Sequence, residues 1–114
     1  MMVLICGDRN WWNAKKIANR VKQLPDGTKV IHGGCRGADR IAGNAASNRG
    51  LVVREYPAQW SKYGNAAGPI RNQEMLDEAP DLVIAFHSNL AESKGTANML
   101  GKAVAAGIKT EVIV

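Results

Sequence analysis

The chain is short of cysteine, aromatic residues and long apolar runs, and each shortage excludes something. Its 114 residues contain two cysteines, Cys6 and Cys35, with no Cys-x-x-Cys or His-x-x-x-His pair. A disulfide scaffold is thereby excluded and no metal site is expected; both thiols read as reduced, Cys6 as a core residue. No stretch approaches the roughly 20 apolar residues of a membrane span, and no basic segment precedes an apolar core at the amino terminus. The expectation is a soluble, cytoplasmic protein without a membrane partner. Charge blocks, heptad arrays and low-complexity tracts are absent too, which excludes disorder and coiled coil, and the length suits a single domain over residues 1–114.

What the chain does have is small residues. Apolar residues make up 46% of it, 16 of them Ala, and there are 12 Gly, whereas aromatics are only 5%. Such a composition packs helices closely on a sheet. The hydrophobic period alternates accordingly. Val3–Cys6 is a continuous apolar run ending in Gly7, as in a strand buried on both faces. Ala14, Ile17, Ala18, Val21 and Leu24 then recur at helical spacing up to a turn at Pro25-Asp26-Gly27. The scheme repeats with a strand at Lys29–His32, a helix over Ala38–Ala46 and a strand at Leu51–Tyr56. After a loop of about a dozen residues, long enough to suggest a functional segment, come a helix from Pro69 to Ala79 and a strand at Asp81–Phe86. A helix over Ala97–Val104 and a strand at Glu111–Val114 complete the chain. Five strands alternating with four helices predict an α/β Rossmann-like three-layer sandwich, a five-stranded parallel sheet with helices on both faces.

Ligands of such sheets bind beyond the carboxyl ends of the strands, where strand order reverses. The unusual residue clusters all fall there: Gly7-Asp8-Arg9 after strand one, Gly33-Gly34-Cys35-Arg36-Gly37-Ala38-Asp39 after strand two, Trp60, Tyr63, Gly68, Arg71 and Asn72 after strand three, and His87, Ser88, Lys94, Gly95 and Thr96 after strand four. With Gly64 beside Tyr63, these segments hold seven of the 12 glycines. The Gly33–Asp39 turn is suited to cradle phosphate on its backbone amides and on the following helix terminus, although a strand-to-helix turn also uses glycine for geometry alone. Its spacing is not that of a dinucleotide motif, and no NAD or other cofactor is expected. Arg9, Arg36, Arg40, Arg71 and Lys94 gather at the same edge; they suit phosphate, or pair with Asp8, Asp39 and Glu74 at a solvated rim. Trp60, Tyr63 and Trp11 are placed either to stack a base or to cover a core edge. His32 ends a buried strand and reads as structural, whereas His87 is a ligand candidate.

Taken in order, Gly7-Asp8-Arg9, His32–Arg40, Trp60, Tyr63-Gly64, Ala67–Met75, Ala85-Phe86 and Gly95–Met99 resemble the stand-alone YspA-type branch of the SLOG superfamily over nearly the whole chain. That superfamily includes the LOG phosphoribohydrolases and the DNA-processing protein DprA. The resemblance implies a Rossmann-like fold that senses, binds or processes nucleotides and their derivatives. Arg71–Met75 resembles the LOG R-x-x-x-M segment, which makes Arg71 the foremost ligand-binding residue. Gly95–Met99 resembles the second LOG motif, but Met99 stands where that motif carries its Glu, and the preceding Pro-Gly-Gly is replaced by His87–Lys94. A thioether cannot act as acid or base, so LOG-type hydrolysis is disfavoured.

Three readings follow. The first is binding, for sensing or sequestration, of a nucleotide or nucleotide-derived ligand. Phosphate would sit on amides at Gly34–Gly37 and at the helix start after Pro69. The second is hydrolysis of an N-glycosidic or phosphate bond, with Asp8, Asp39, Glu74 or Glu92 as the carboxylate, although Asp8 and above all Asp39 also suit capping a helix or orienting Arg9 and Arg36. The third is binding of single-stranded nucleic acid, which a formal charge of +5 permits but does not specify. Ala-rich helix faces leave a homo-oligomer open.

Overall fold

The computed structural model describes all 114 residues, Met1–Val114. The strands are β1 (Met2–Gly7), β2 (Lys29–His32), β3 (Val52–Glu55), β4 (Leu82–Phe86) and β5 (Lys109–Ile113). They form one all-parallel sheet in the order β3-β2-β1-β4-β5. The long helices are α1 (Ala14–Lys22), α2 (Ala38–Asn48), α4 (Ala67–Asp77) and α5 (Gly95–Ala105). The expected α/β three-layer architecture is therefore present. No helix is long and apolar enough to cross a membrane.

Two features depart from the sequence reading. The long loop after β3 contains a one-turn helix α3 (Trp60–Tyr63) and a 3₁₀ turn (Gly64–Ala66) that leads straight into α4. The helix α4 itself begins at Ala67, two residues before Pro69. Proline is tolerated there because the amides of a first helical turn have no intrahelical partner to lose.

The two buried strands divide their side chains by parity. Val3 and Ile5 of β1 with Leu82, Ile84 and Phe86 of β4 face α1 and α2, whereas Leu4, Cys6, Val83 and Ala85 face α4 and α5. Alanines at 38, 42 and 46 keep α2 close to the sheet. Trp11, a stacking candidate, instead packs edge-on against Phe86 with centroids 5.6 Å apart, and its indole N–H donates to the Asn13 carbonyl at 2.9 Å. It is a core-edge residue.

Strand order reverses between β1 and β4. The register there runs Cys6 against Ala85 and Gly7 against Phe86, and the Asp8 N–H still donates to the Phe86 carbonyl at 2.9 Å. A Cβ on Gly7 would overlap that carbonyl and stand 2.8 Å from the Ala38 methyl. Gly7→Ala is therefore expected to destabilise the fold by about 2 kcal/mol or more through overpacking. Gly101, in the interior of α5, has open space where a Cβ would stand, with nothing within 4 Å, so Gly101→Ala should stabilise by about 0.5–1 kcal/mol. Urea denaturation of the two variants checks both signs.

Candidate functional site

The reversal opens a cleft of about 690 Å³ at the carboxyl end of the sheet. Its walls come from the end of β1 with the following Asp8-Arg9-Asn10, the turn residues Cys35 and Asp39, Trp60 and Asn65 ahead of α4, α4 itself, His87 after β4, and the segment from Glu92 into α5. Of the residues expected at a site, Gly7, Asp8, Arg9, Cys35, Asp39, Trp60, Gly68, Arg71, Asn72, His87, Lys94, Gly95 and Thr96 line this cleft. The weaker carboxylate candidate Glu92 also lines it, whereas Glu74 lies outside on α4.

Six expected residues do not line it: Gly33, Gly34, Arg36, Gly37, Tyr63 and Ser88. Gly33 and Gly37 matter for clearance. A Cβ on Gly33 would overlap the Arg71 guanidinium, and one on Gly37, at φ +79°, would overlap the Asp8 and Arg9 carbonyls. Arg36 reaches Asn10 Oδ1 at 3.1 Å on the surface. Tyr63 lies under the Lys62 ammonium, 5.0 Å from its ring centroid.

Of the phosphate seat expected on the Gly34–Gly37 amides, the Gly34 N–H is engaged within the chain, as are the flanking Gly33 and Ala38 N–H groups. Gly33 N–H donates to Asp39 Oδ2 at 3.0 Å, and the nearby amides of Cys35 and of Asp39 itself favour the charged carboxylate. Gly34 N–H donates to His32 Nδ1 at 2.9 Å, and Ala38 N–H to the Asp8 carbonyl at 3.1 Å. Asp39, only 5% exposed, thus supplies the anion that the turn and the start of α2 attract. Burial pushes its carboxyl up to about 6 even though the Arg71 guanidinium and the three amides favour the charged form.

Arg71 is the opposite case. Its side chain, 9% exposed, enters from α4 beneath the turn. Nη1 donates to the Gly33 carbonyl at 2.8 Å and lies 3.5 Å from the Tyr56 carbonyl. Nε donates to Asn72 Oδ1 at 3.1 Å, and Nη2 lies 3.8 Å from Cys35 Sγ. Neutral acceptors surround the guanidinium, and no carboxylate is within 4.0 Å of it: the ion pairs of the molecule are Arg20–Glu111 and Arg49–Asp26, both elsewhere. Arg9 and Lys94 also line the cleft without an ion pair.

The remaining polar groups are mostly pre-set. Asp8 Oδ1 accepts from Asn10 N–H at 2.8 Å, His87 Nδ1 accepts from Asn89 N–H at 3.0 Å, and Ser93 Oγ accepts from Thr96 N–H at 3.0 Å at the start of α5. Asn72 Nδ2 bridges to Asn98 Oδ1 at 3.3 Å, tying α4 to α5. Met99, buried at 1%, does line the cleft, so the motif position that lacks a carboxylate faces the same space as Arg71. Burial pushes the Cys6 thiol well up, which keeps it protonated and unreactive. The sequence reading missed Asn65, Met75 and Asn98. The first lies in the unforeseen turn after α3; the other two stand inside the Arg71–Met75 and Gly95–Met99 segments, and their signal is that resemblance together with a helical spacing of three or four from Asn72, Arg71 and Gly95.

This arrangement defines a Rossmann-like domain with an arginine-floored cleft at its switch point. The chain belongs to the YspA, cpYpsA-related SLOG family, whose model matches residues 1–63. It is 36% identical to the gene 61 protein of Mycobacterium phage D29, across 93% of this chain and 90% of that one. Its fold is similar to that of DNA processing protein A (DprA) from Streptococcus pneumoniae, with a TM-score of 0.56 and 15% identity. The alignment covers 96% of this chain but 57% of DprA, so the chain spans a little over half of that protein.

Asp39 gives a pH dependence with a definite sign. Its folded-state pKa of about 6 lies above the ordinary carboxylate value, so the native state takes up the proton first. Its contribution to stability is greatest at low pH and falls as pH rises through 6. Relative to Asp39→Asn, the wild-type chain should lose about 1.4 kcal/mol between pH 5 and pH 7.5; denaturant titrations of both proteins at the two pH values measure it.

Proposed function

We propose that the cleft binds a nucleotide or a nucleotide-derived molecule in the cytoplasm, for sensing or sequestration, with an anionic group of the ligand on Arg71. The observation that carries this reading is the buried guanidinium without a close carboxylate. A charge removed from water is costly unless matched, and neutral carbonyls match it only in part. An incoming phosphate or other oxyanion would complete it through the planar, two-pronged donor geometry of arginine. Lys94 and the amino-terminal turns of α4 and α5 add positive potential around the same space. Trp60, more than half exposed at the rim, offers an aromatic face to a base; a Cβ on the neighbouring Gly68 would be 3.5 Å from its ring. Family membership supports a nucleotide-related role. The absence of a carboxylate at Met99 favours binding over hydrolysis.

Calorimetry with a panel of mono-, di- and cyclic nucleotides tests the reading, with recovery of the ligand afterwards by chromatography. Binding is expected for at least one, with the ligand recovered intact. Arg71→Ala should weaken it by about 2–3 kcal/mol, roughly 30–150-fold in Kd, and Arg71→Lys by less, since it keeps the charge and loses the fork. No binding by the panel, or binding indifferent to Arg71→Ala, would refute it. Single-stranded DNA binding that a mononucleotide does not displace would favour a nucleic-acid partner instead.

A further inference from the structure

A second groove, of about 410 Å³, lies between α2 and the edge strand β3 and shares no lining residue with the cleft. Arg40, Asn44 and Ser47 project into it from one face of α2, and Val53 and Glu55 from alternate positions of β3, with His32 at the end of β2. His32 is 6% exposed. Its Nδ1 accepts the Gly34 N–H, so the neutral ring carries its hydrogen on Nε2, and Nε2 has no partner within the protein. The ring is held against Gly43, where a Cβ would stand 2.6 Å from Nε2. Glycine inside a helix costs about 1 kcal/mol relative to alanine; here it leaves the Nε2–H uncovered.

The imidazole stays neutral at physiological pH. Burial lowers its pKa, the Arg71 guanidinium lowers it further, and Glu55 opposes them. With Nδ1 already an acceptor, Nε2 is a hydrogen-bond donor and not a metal ligand. Two opposite charges flank it. Arg40 donates through Nε to the Gly34 carbonyl at 3.1 Å and has no carboxylate partner, while the Glu55 carboxylate lies against Gly34 without a hydrogen-bond or ion-pair partner. They do not pair with each other. A simple anion entering the groove meets Glu55 and a simple cation meets Arg40, whereas a molecule bearing both charges satisfies each.

We propose that this groove is a second binding site, for a small zwitterion of the α-amino acid class. The ligand carboxylate takes His32 Nε2–H and the Arg40 guanidinium, the ammonium takes Glu55, and an uncharged polar side chain lies along Asn44 and Ser47. The site is independent of the cleft and of its ligand.

Two-dimensional NMR of the isotope-labelled full chain tests it, with L-glutamine and L-serine as probes. N-acetyl-L-glutamine lacks the ammonium, L-glutaminamide lacks the carboxylate, and acetate and inorganic phosphate serve as anions alone. The expected result is saturable shifts of the His32 ring and of the Gly34 and Ser47 amides with at least one amino acid. The two blocked forms should bind at least tenfold more weakly. Arg40→Gln and Glu55→Gln, both at exposed positions, should each weaken binding tenfold or more while the spectrum elsewhere is retained. No response to either amino acid, an equal response to acetate, or indifference to both substitutions overturns the proposal. A parallel nucleotide titration in Glu55→Gln, read at Arg71 and Thr96, reports on the cleft separately, so failure at one site is distinguishable from failure at the other.

Discussion

A guanidinium that is nine-tenths buried cannot give up its charge, and the surroundings of Arg71 are organised by that constraint. The Gly33 carbonyl must face it, which requires a residue without a side chain at position 33. Its neighbour Asn72 orients Nε from one side and reaches Asn98 on the other, so fixing Arg71 also fixes α5 against α4. Asp39 provides distant compensation, but its carboxylate is committed to the turn amides and does not reach ion-pair distance. The result is a positive group held rigidly at the floor of an open cleft.

The Gly33–Gly34 turn stands between the two candidate sites and holds side chains of both, without lining either. On one side the Gly33 carbonyl and amide engage Arg71 and Asp39; on the other, Gly34 engages His32 Nδ1 and Arg40 Nε. Every group of this dipeptide is therefore bonded to a side chain, and the run Gly33-Gly34 at the end of a buried strand serves as a packed junction more than as an open anion cradle. The same residues that resemble a phosphate loop hold in place the residues proposed to bind.

Much of the fold was legible because strands buried on both faces read as continuous apolar runs, as in Val3–Cys6 and Leu82–Phe86, and because the helices show clear period. The exposed ends were not. The turn at Trp60–Tyr63 is too short for any period, and α4 and α5 each start two residues before the sequence suggests, since Gly68 and Gly95 do not read as helix. At the site, Arg71, Asn72 and Thr96 were legible from motif resemblance and position after a strand. That Asp39 folds back to fill its own turn was not, because no local pattern distinguishes a carboxylate that caps a nest from one that faces solvent. Met75 and Asn98 stood inside quoted motif segments, but that they face the cleft emerges only once α4 and α5 are set side by side.

In the proposed complex, the Arg71 charge is completed by an anionic group of the bound ligand. A crystal structure of the protein grown with a nucleotide from the binding panel tests it most directly. An oxyanion of the ligand is expected within about 3 Å of an Arg71 Nη atom, the range of a charge-assisted hydrogen bond, with the Gly33 contact retained. A nucleotide bound elsewhere on the molecule, or seated in the cleft with its anionic groups turned away from Arg71, would contradict it.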